Sequence, residues 1–199
     1  VFGIALHGLG QTEDSFFQAY GKKLPQLAEP HGYIVAAPLG YRVDGSYGWG
    51  VGTPPAEVMT RRREEFADAD VMQVLAQVKK QYNVDVNRIY LLGHSMGAIG
   101  TWKLAAKYPD VWAAIAPFSG QDAPASAERM KGIPNFVVHG DADLTVNVRG
   151  SRAMVEAMKV RNMDVTYIEV GGGNHSAVVE PNLAAAVEFF NARRRGVVK

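Results

Sequence analysis

The chain predicts an α/β fold, a mostly parallel sheet with helices on both faces. Two observations carry that expectation. Short β-rich runs alternate with amphipathic helical runs along the sequence, and that alternation implies parallel strands covered on both sides. Most of the strand-like runs are continuously apolar, the pattern of strands buried on both faces. A length of 199 residues suits one domain, so residues 1–199 are expected to form a single domain.

The strand runs, in order, are Val1–Leu6, Tyr33–Ala37, Arg88–Leu92, Ala113–Ala116, Asn135–Val138 and Asp164–Glu169. The first helical pattern is Arg61–Tyr82, where Val71, Val74, Leu75, Val78 and Tyr82 recur on one stripe. The second, Met96–Tyr108, stops at Pro109, which cannot continue a helix. Val148–Met163 and Pro181–Arg193 follow, with Pro181 suited to a first turn. Gly40–Pro55, rich in Gly, Tyr, Trp and Pro, reads as a long loop, and long loops in compact domains are often functional.

Composition excludes some classes of function. The 21 basic and 20 acidic residues balance to a net charge of +1, which gives no argument for nucleic acid or an anionic membrane surface as a partner, and neither is expected. The Arg193–Arg195 cluster reads as a solvated helix end near the negative pole of the helix dipole. With no cysteine there is no disulfide, thiolate metal site or cysteine nucleophile. No apolar stretch approaches the roughly 18 residues of a membrane span, and no signal segment opens the chain. Residue 1 is Val, already inside a strand pattern. The chain is therefore expected to be a soluble, processed or truncated product, with a signal peptide for secretion, edge strands or another domain as the alternatives for what lies upstream. Compartment and oligomeric state are left open.

Open parallel sheets bind ligands beyond the C-terminal ends of their strands. After Arg88–Leu92 comes G-H-S-M-G, Gly93 to Gly97, and then a helix. In that context the pattern reads as a nucleophile elbow. Ser95 takes a strained turn, the flanking glycines let strand and helix approach, and the Met96 N–H sits at a helix start where it can meet developing negative charge. Chance alone supplies such a pattern roughly 0.08 times in a chain of this composition, so its partners matter.

A serine hydroxyl needs a base and an orienting carboxylate. Of five histidines, His175 lies in G-G-G-N-H-S, after the last strand and before the last helix, where a glycine-rich loop can lower it onto Ser95. His94 adjoins the nucleophile on a tight turn and points away from it. His7 and His139 order their own loops, and His31 belongs to a surface turn. The loop H-G-D-A-D-L-T-V after the fifth strand offers Asp141 and Asp143, between which the residues alone do not decide. The first strand runs into L-H-G-L-G, whose Gly8–Gly10 turn can lift the Leu9 N–H beside that of Met96 as a second oxyanion donor. A dinucleotide-binding turn is the competing reading, but position 13 is Glu where a third glycine is needed, and no phosphate-binding Lys follows.

Together H-G-L-G, G-H-S-M-G, H-G-D-A-D-L-T-V and G-G-G-N-H-S resemble the α/β-hydrolase superfamily, nearest to bacterial esterases of the polyhydroxybutyrate-depolymerase-like and dienelactone-hydrolase-like branches. The resemblance spans nearly the whole chain. It implies Ser95 as nucleophile, Asp143 as acid, His175 as base, and the Leu9 and Met96 N–H groups as oxyanion donors, in the chain order of that superfamily. It also implies that Tyr33–Ala37 lies outside Val1–Leu6, with Arg88–Leu92 on the other side. Two departures stand out. Dienelactone hydrolase uses a cysteine that this chain lacks, and the family's usual N-terminal strands are missing here. The expected activity is hydrolysis of small to medium carboxylic esters, with no metal and no cofactor. A peptidase or polyester depolymerase on the same residues, or a non-catalytic hydrolase-like binding domain, are the alternatives. Tyr47, Trp49 and Phe118 are expected in the wall of the substrate pocket, with Gly40–Pro55 as a partial cover.

Overall fold

A computed structural model describes residues 1–42, 47 and 56–196, the side chains of 56–63 excepted. Six strands, β1 (Phe2–Leu6), β2 (Ile34–Ala36), β3 (Ile89–His94), β4 (Ala114–Phe118), β5 (Asn135–Gly140) and β6 (Val165–Val170), form one sheet in the order β2-β1-β3-β4-β5-β6. Every pair is parallel. The chain order reverses between β1 and β3, so the crevice above these two strands is the topological switch point. The helices are α1 (Ser15–Gln18), α2 (Lys23–Ala28), α3 (Ala56–Gln81), α4 (Met96–Lys107), α5 (Val148–Val160) and α6 (Val179–Asn191). Among the described residues, no helix is long and apolar enough to cross a membrane.

The strands are apolar throughout because both faces of the sheet are covered. On one face Phe2, Ile4, Leu6, Ile89 and Leu91 pack with Val71 and Leu75 of α3, Trp102 and Leu104 of α4, and Met154 and Met158 of α5. On the other, Ala5, Tyr90, Leu92, Phe118, Phe136 and Val138 meet Phe16 of α1, Leu24 of α2, and Leu183, Val187 and Phe190 of α6. The alternation of Ile89 and Leu91 with Tyr90 and Leu92 is the period of two that divides a strand between faces. One buried polar group crosses the first core without penalty: Trp102 Nε1 donates to Asn135 Oδ1 at 3.1 Å, and Asn135 Nδ2 donates to Ile133 O at 2.8 Å.

Element boundaries differ from the sequence expectation for local reasons. Helix α3 begins at Ala56 rather than Arg61. Helix α5 ends at Val160 rather than Met163, since Asn162 takes φ 53°, a left-handed stop. Two further helices, α1 and α2, and 3₁₀ turns at Tyr20–Lys22 and Pro124–Met130 fill stretches without a periodic pattern. The C-terminal arginines are paired rather than simply solvated. Arg193 holds Asp164 through both Nε and Nη2 (2.9 and 3.0 Å), Arg194 pairs with Asp85 (2.9 Å), and the Arg195 N–H donates to Asn87 O.

Candidate active site

The elbow at the end of β3 is strained as its sequence requires. Ser95 has φ 56° and ψ −117°, its N–H donates to Phe118 O at 2.9 Å, and α4 starts at the next residue. A non-glycine residue in that region costs of order 1–3 kcal/mol and persists only where its surroundings impose it. Here close packing imposes it. A Cβ at Gly97 would overlap the Leu6 carbonyl, and one at Gly93 would overlap the Gly97 carbonyl. Helix α4 therefore starts directly above β1, with its first N–H groups free of intrahelical acceptors.

Three side chains from three loops converge here. His175 Nδ1 donates to Asp143 Oδ2 at 2.7 Å, and Ser95 Oγ lies 2.8 Å from His175 Nε2, positioned to donate to it. The Asp143 side chain is fully buried. Its Oδ1 accepts from the N–H groups of Thr145 (2.8 Å) and Val146 (2.9 Å). Burial alone would raise the Asp143 pKa; the hydrogen bonds from His175, Val146 and Thr145 outweigh it and hold the carboxyl below its ordinary value. Asp141 is elsewhere: its Oδ1 accepts from Gly172 N–H at 2.7 Å, bracing the glycine loop. The geometry thus separates the two carboxylates that the loop motif left equivalent.

A hollow of about 300 Å³ opens beside Ser95. Gly8, Leu9, Gln11, Met96, Ile99 and Val146 are among its lining residues, so both expected oxyanion donors border it. Tyr47 and Phe118 do not. Both are fully buried: Tyr47 packs in the first core with its hydroxyl on Pro38 O (2.6 Å), and Phe118 packs in the second. Their expected place in the pocket wall is corrected accordingly; a side chain with no exposed surface can touch no substrate. Trp49 and all of the Gly40–Pro55 loop except Gly40, Tyr41, Arg42 and Tyr47 lie outside the described residues.

The structure also brings in residues that the motifs did not single out. His139, fully buried, reaches Asp143 Oδ2 at 3.1 Å and donates from Nε2 to Val146 O at 2.9 Å. Burial pushes its pKa down. His94 Nε2 donates to the carbonyl of His175 at 3.0 Å, and Ser119 Oγ donates to the same oxygen at 2.8 Å. Tyr20 and Gln11 join this group from the segment after β1. The one signal in the sequence was position: His94, Ser119 and His139 all stand at or just past the C-terminal ends of strands.

Comparison with known proteins identifies the family of the chain. The phospholipase/carboxylesterase family model matches residues 3–193. A bifunctional acetylxylan esterase/xylanase of Neocallimastix patriciarum is 30% identical over 144 residues, covering 72% of this chain and 19% of that protein. Feruloyl esterase B of Neurospora crassa is 34% identical over 120 residues, covering 59% of this chain and 38% of that protein. The chain thus spans well under half the length of these curated relatives. Among solved structures, a thermostable esterase superposes with a TM-score of 0.76 at 24% identity, covering 98% of this chain and 55% of that one. An S-formylglutathione hydrolase from Agrobacterium tumefaciens superposes with a TM-score of 0.75 at 17% identity, covering 96% and 83%.

Proposed function

The chain belongs to the phospholipase/carboxylesterase family, and from that footing we propose that it is a serine esterase acting on small to medium carboxylic esters, with Ser95, His175 and Asp143 as its catalytic residues. The observation that carries this reading is the relay of 2.7 and 2.8 Å contacts from buried Asp143 through His175 to the strained Ser95. Asp143 holds the Nδ1–H tautomer of His175, which leaves Nε2 as the lone pair facing the serine hydroxyl.

In the first step His175 Nε2 takes the Ser95 proton as Oγ attacks the ester carbonyl carbon. The negative charge on the former carbonyl oxygen falls toward the Met96 and Leu9 N–H groups, each worth about 3–4 kcal/mol of barrier in comparable sites. The C–O bond to the alcohol then breaks, and the alcohol leaves with the proton from His175. Water deprotonated by the same nitrogen attacks the acyl-enzyme, and collapse of the second tetrahedral intermediate returns Ser95 to its starting state.

The substrate reading rests on the hollow and its rim. A volume of about 300 Å³ with Leu9, Met96, Ile99 and Val146 in its lining suits a short acyl group. Leu144, next to Asp143, is fully exposed, and Leu9 is half-exposed. Leu9, which lines the hollow, favours a second reading, attack on esters in a polymer whose apolar surface packs on it. The test is turnover of a nitrophenyl ester acyl-length series and of a suspended polyester, by wild type and Ser95→Ala. We expect wild-type ester turnover that is highest with short acyl chains, no cleavage of peptide anilides, and a loss of about 10⁴–10⁶ in kcat for Ser95→Ala. Equal turnover by the two proteins would overturn the reading.

A further inference from the structure

Outside the relay itself, the hollow is bounded by a second set of hydrogen bonds that no step above uses. His94, one residue before the nucleophile, is almost fully buried, and its ring lies 4.8 Å from that of His175, centroid to centroid. Its Nε2 faces the main-chain carbonyl of His175 at 3.0 Å. A carbonyl can only accept, so Nε2 carries the hydrogen and, in the neutral ring, Nδ1 is a lone pair. Tyr20 OH lies 2.9 Å from that lone pair and donates to it. Desolvation lowers the His94 pKa to about 4 and raises that of Tyr20, which keeps the imidazole neutral and the phenol protonated at neutral pH. Gln11 Oε1 lies 3.3 Å from the same Tyr20 hydroxyl, whose one proton goes to His94, and accepts instead from Gly8 N–H at 2.8 Å. Tyr20 is itself held in a left-handed conformation, φ 48°, and is half-buried against Phe16 and His94.

We propose that His94, its tautomer set by the His175 carbonyl and its ring held by Tyr20, is a positioning residue that fixes the main chain of His175. This inference rests on the serine-esterase reading. Two adjacent residues of the elbow then hold the two ends of one histidine: Ser95 meets its ring, and His94 its carbonyl. The need for such a hold is visible in the loop. His175 follows three consecutive glycines, of which Gly172 takes φ 67°, and a loop of that composition has little stiffness of its own. Ser119 Oγ shares the grip on the carbonyl. The histidine, on a loop far away in sequence, is thereby set relative to the elbow and to the Tyr20 segment. A displacement of about 1 Å in such a site can cost on the order of 100-fold in rate.

The experiment is steady-state kinetics on the full chain with a short nitrophenyl ester, each kcat divided by the fraction of Ser95 that a fluorophosphonate titrates. Tyr20→Phe keeps the ring and removes only the hydroxyl. We expect it to lower kcat per titratable site about three- to tenfold, with KM within about twofold. His94→Leu removes the donor, and we expect a loss of about 10- to 100-fold; His94→Gln, which retains an N–H at similar reach, recovers most of it. Tyr20 acts through His94, so Tyr20→Phe adds no further loss on the His94→Leu background. Full kcat per titratable site in Tyr20→Phe, additive losses in the double variant, or a Gln variant no better than Leu would overturn the proposal. If His94→Leu does not fold, Tyr20→Phe decides alone. A wild-type chain without ester turnover would instead sink the esterase reading, so the two failures are distinguishable.

Discussion

At the scale of single residues, the two carboxylates of H-G-D-A-D show how a motif and a fold divide the information. Both are short-chain acids in one loop, and local pattern treats them alike. In space Asp143 turns inward, loses all exposure and meets His175, while Asp141 turns outward and braces Gly172. Asp143→Asn should therefore lower kcat about 10⁴-fold, because the amide no longer selects the Nδ1–H tautomer. Asp141→Ala should stay within about tenfold of wild type, since it removes one loop hydrogen bond. Kinetics of the two purified variants with one ester checks both, and reversed magnitudes would exchange their roles. The same scale shows where sequence reading failed. Tyr47 and Phe118 sit in a loop and at a strand end, positions that suit a pocket wall, yet aromatic area is also what a core absorbs most readily. Only packing tells the two apart.

At the scale of elements, the elbow and the glycine loop use glycine for different purposes. Gly97 is where α4 crosses β1, and an added Cβ would overlap backbone at Leu6, which cannot move like a side-chain end. Gly97→Ala should cost at least about 2 kcal/mol of stability, by the overpacking it forces. Gly171 has open space around its Cβ position and no left-handed φ, so Gly171→Ala should change stability by less than about 0.5 kcal/mol. Denaturant unfolding of both variants measures this contrast. Comparable losses would mean that the three consecutive glycines are all structurally required. Strands and the long helices were legible because burial on both faces and helical periodicity leave a pattern over many residues. The short helices α1 and α2 and the 3₁₀ turns were not: a helix of four to six residues leaves too few positions for a periodicity.

At the scale of the whole molecule, parallel strands bring their C-terminal ends to one edge, and three buried histidines collect there: His7, His94 and His139. Burial holds the pKa of His94 and His139 below 6.5, to about 4 for His94. Between about pH 6.5 and 4 the unfolded chain binds more protons than the folded one at these two sites, so stability falls as pH falls through that window. Asp143, held below the ordinary carboxylate value of 3.8, acts further down: its contribution is complete above that value and is lost as pH drops through the lowered one. Melting temperature should thus decline steadily from pH 7 to 4, and less steeply in His94→Gln. A flat profile across that interval would contradict the burial of these rings. The sequence by itself determined the α/β class, the strand–turn–helix around Ser95, and the loops that hold His175 and the two aspartates, because each is written in contiguous residues. Only the tertiary structure decided which aspartate meets His175, which aromatics are core, and that His94, itself bonded to Tyr20, meets the carbonyl of His175. Those outcomes depend on distances between segments separated by 32 to 81 positions, and such distances are set by packing across the sheet rather than by any local pattern.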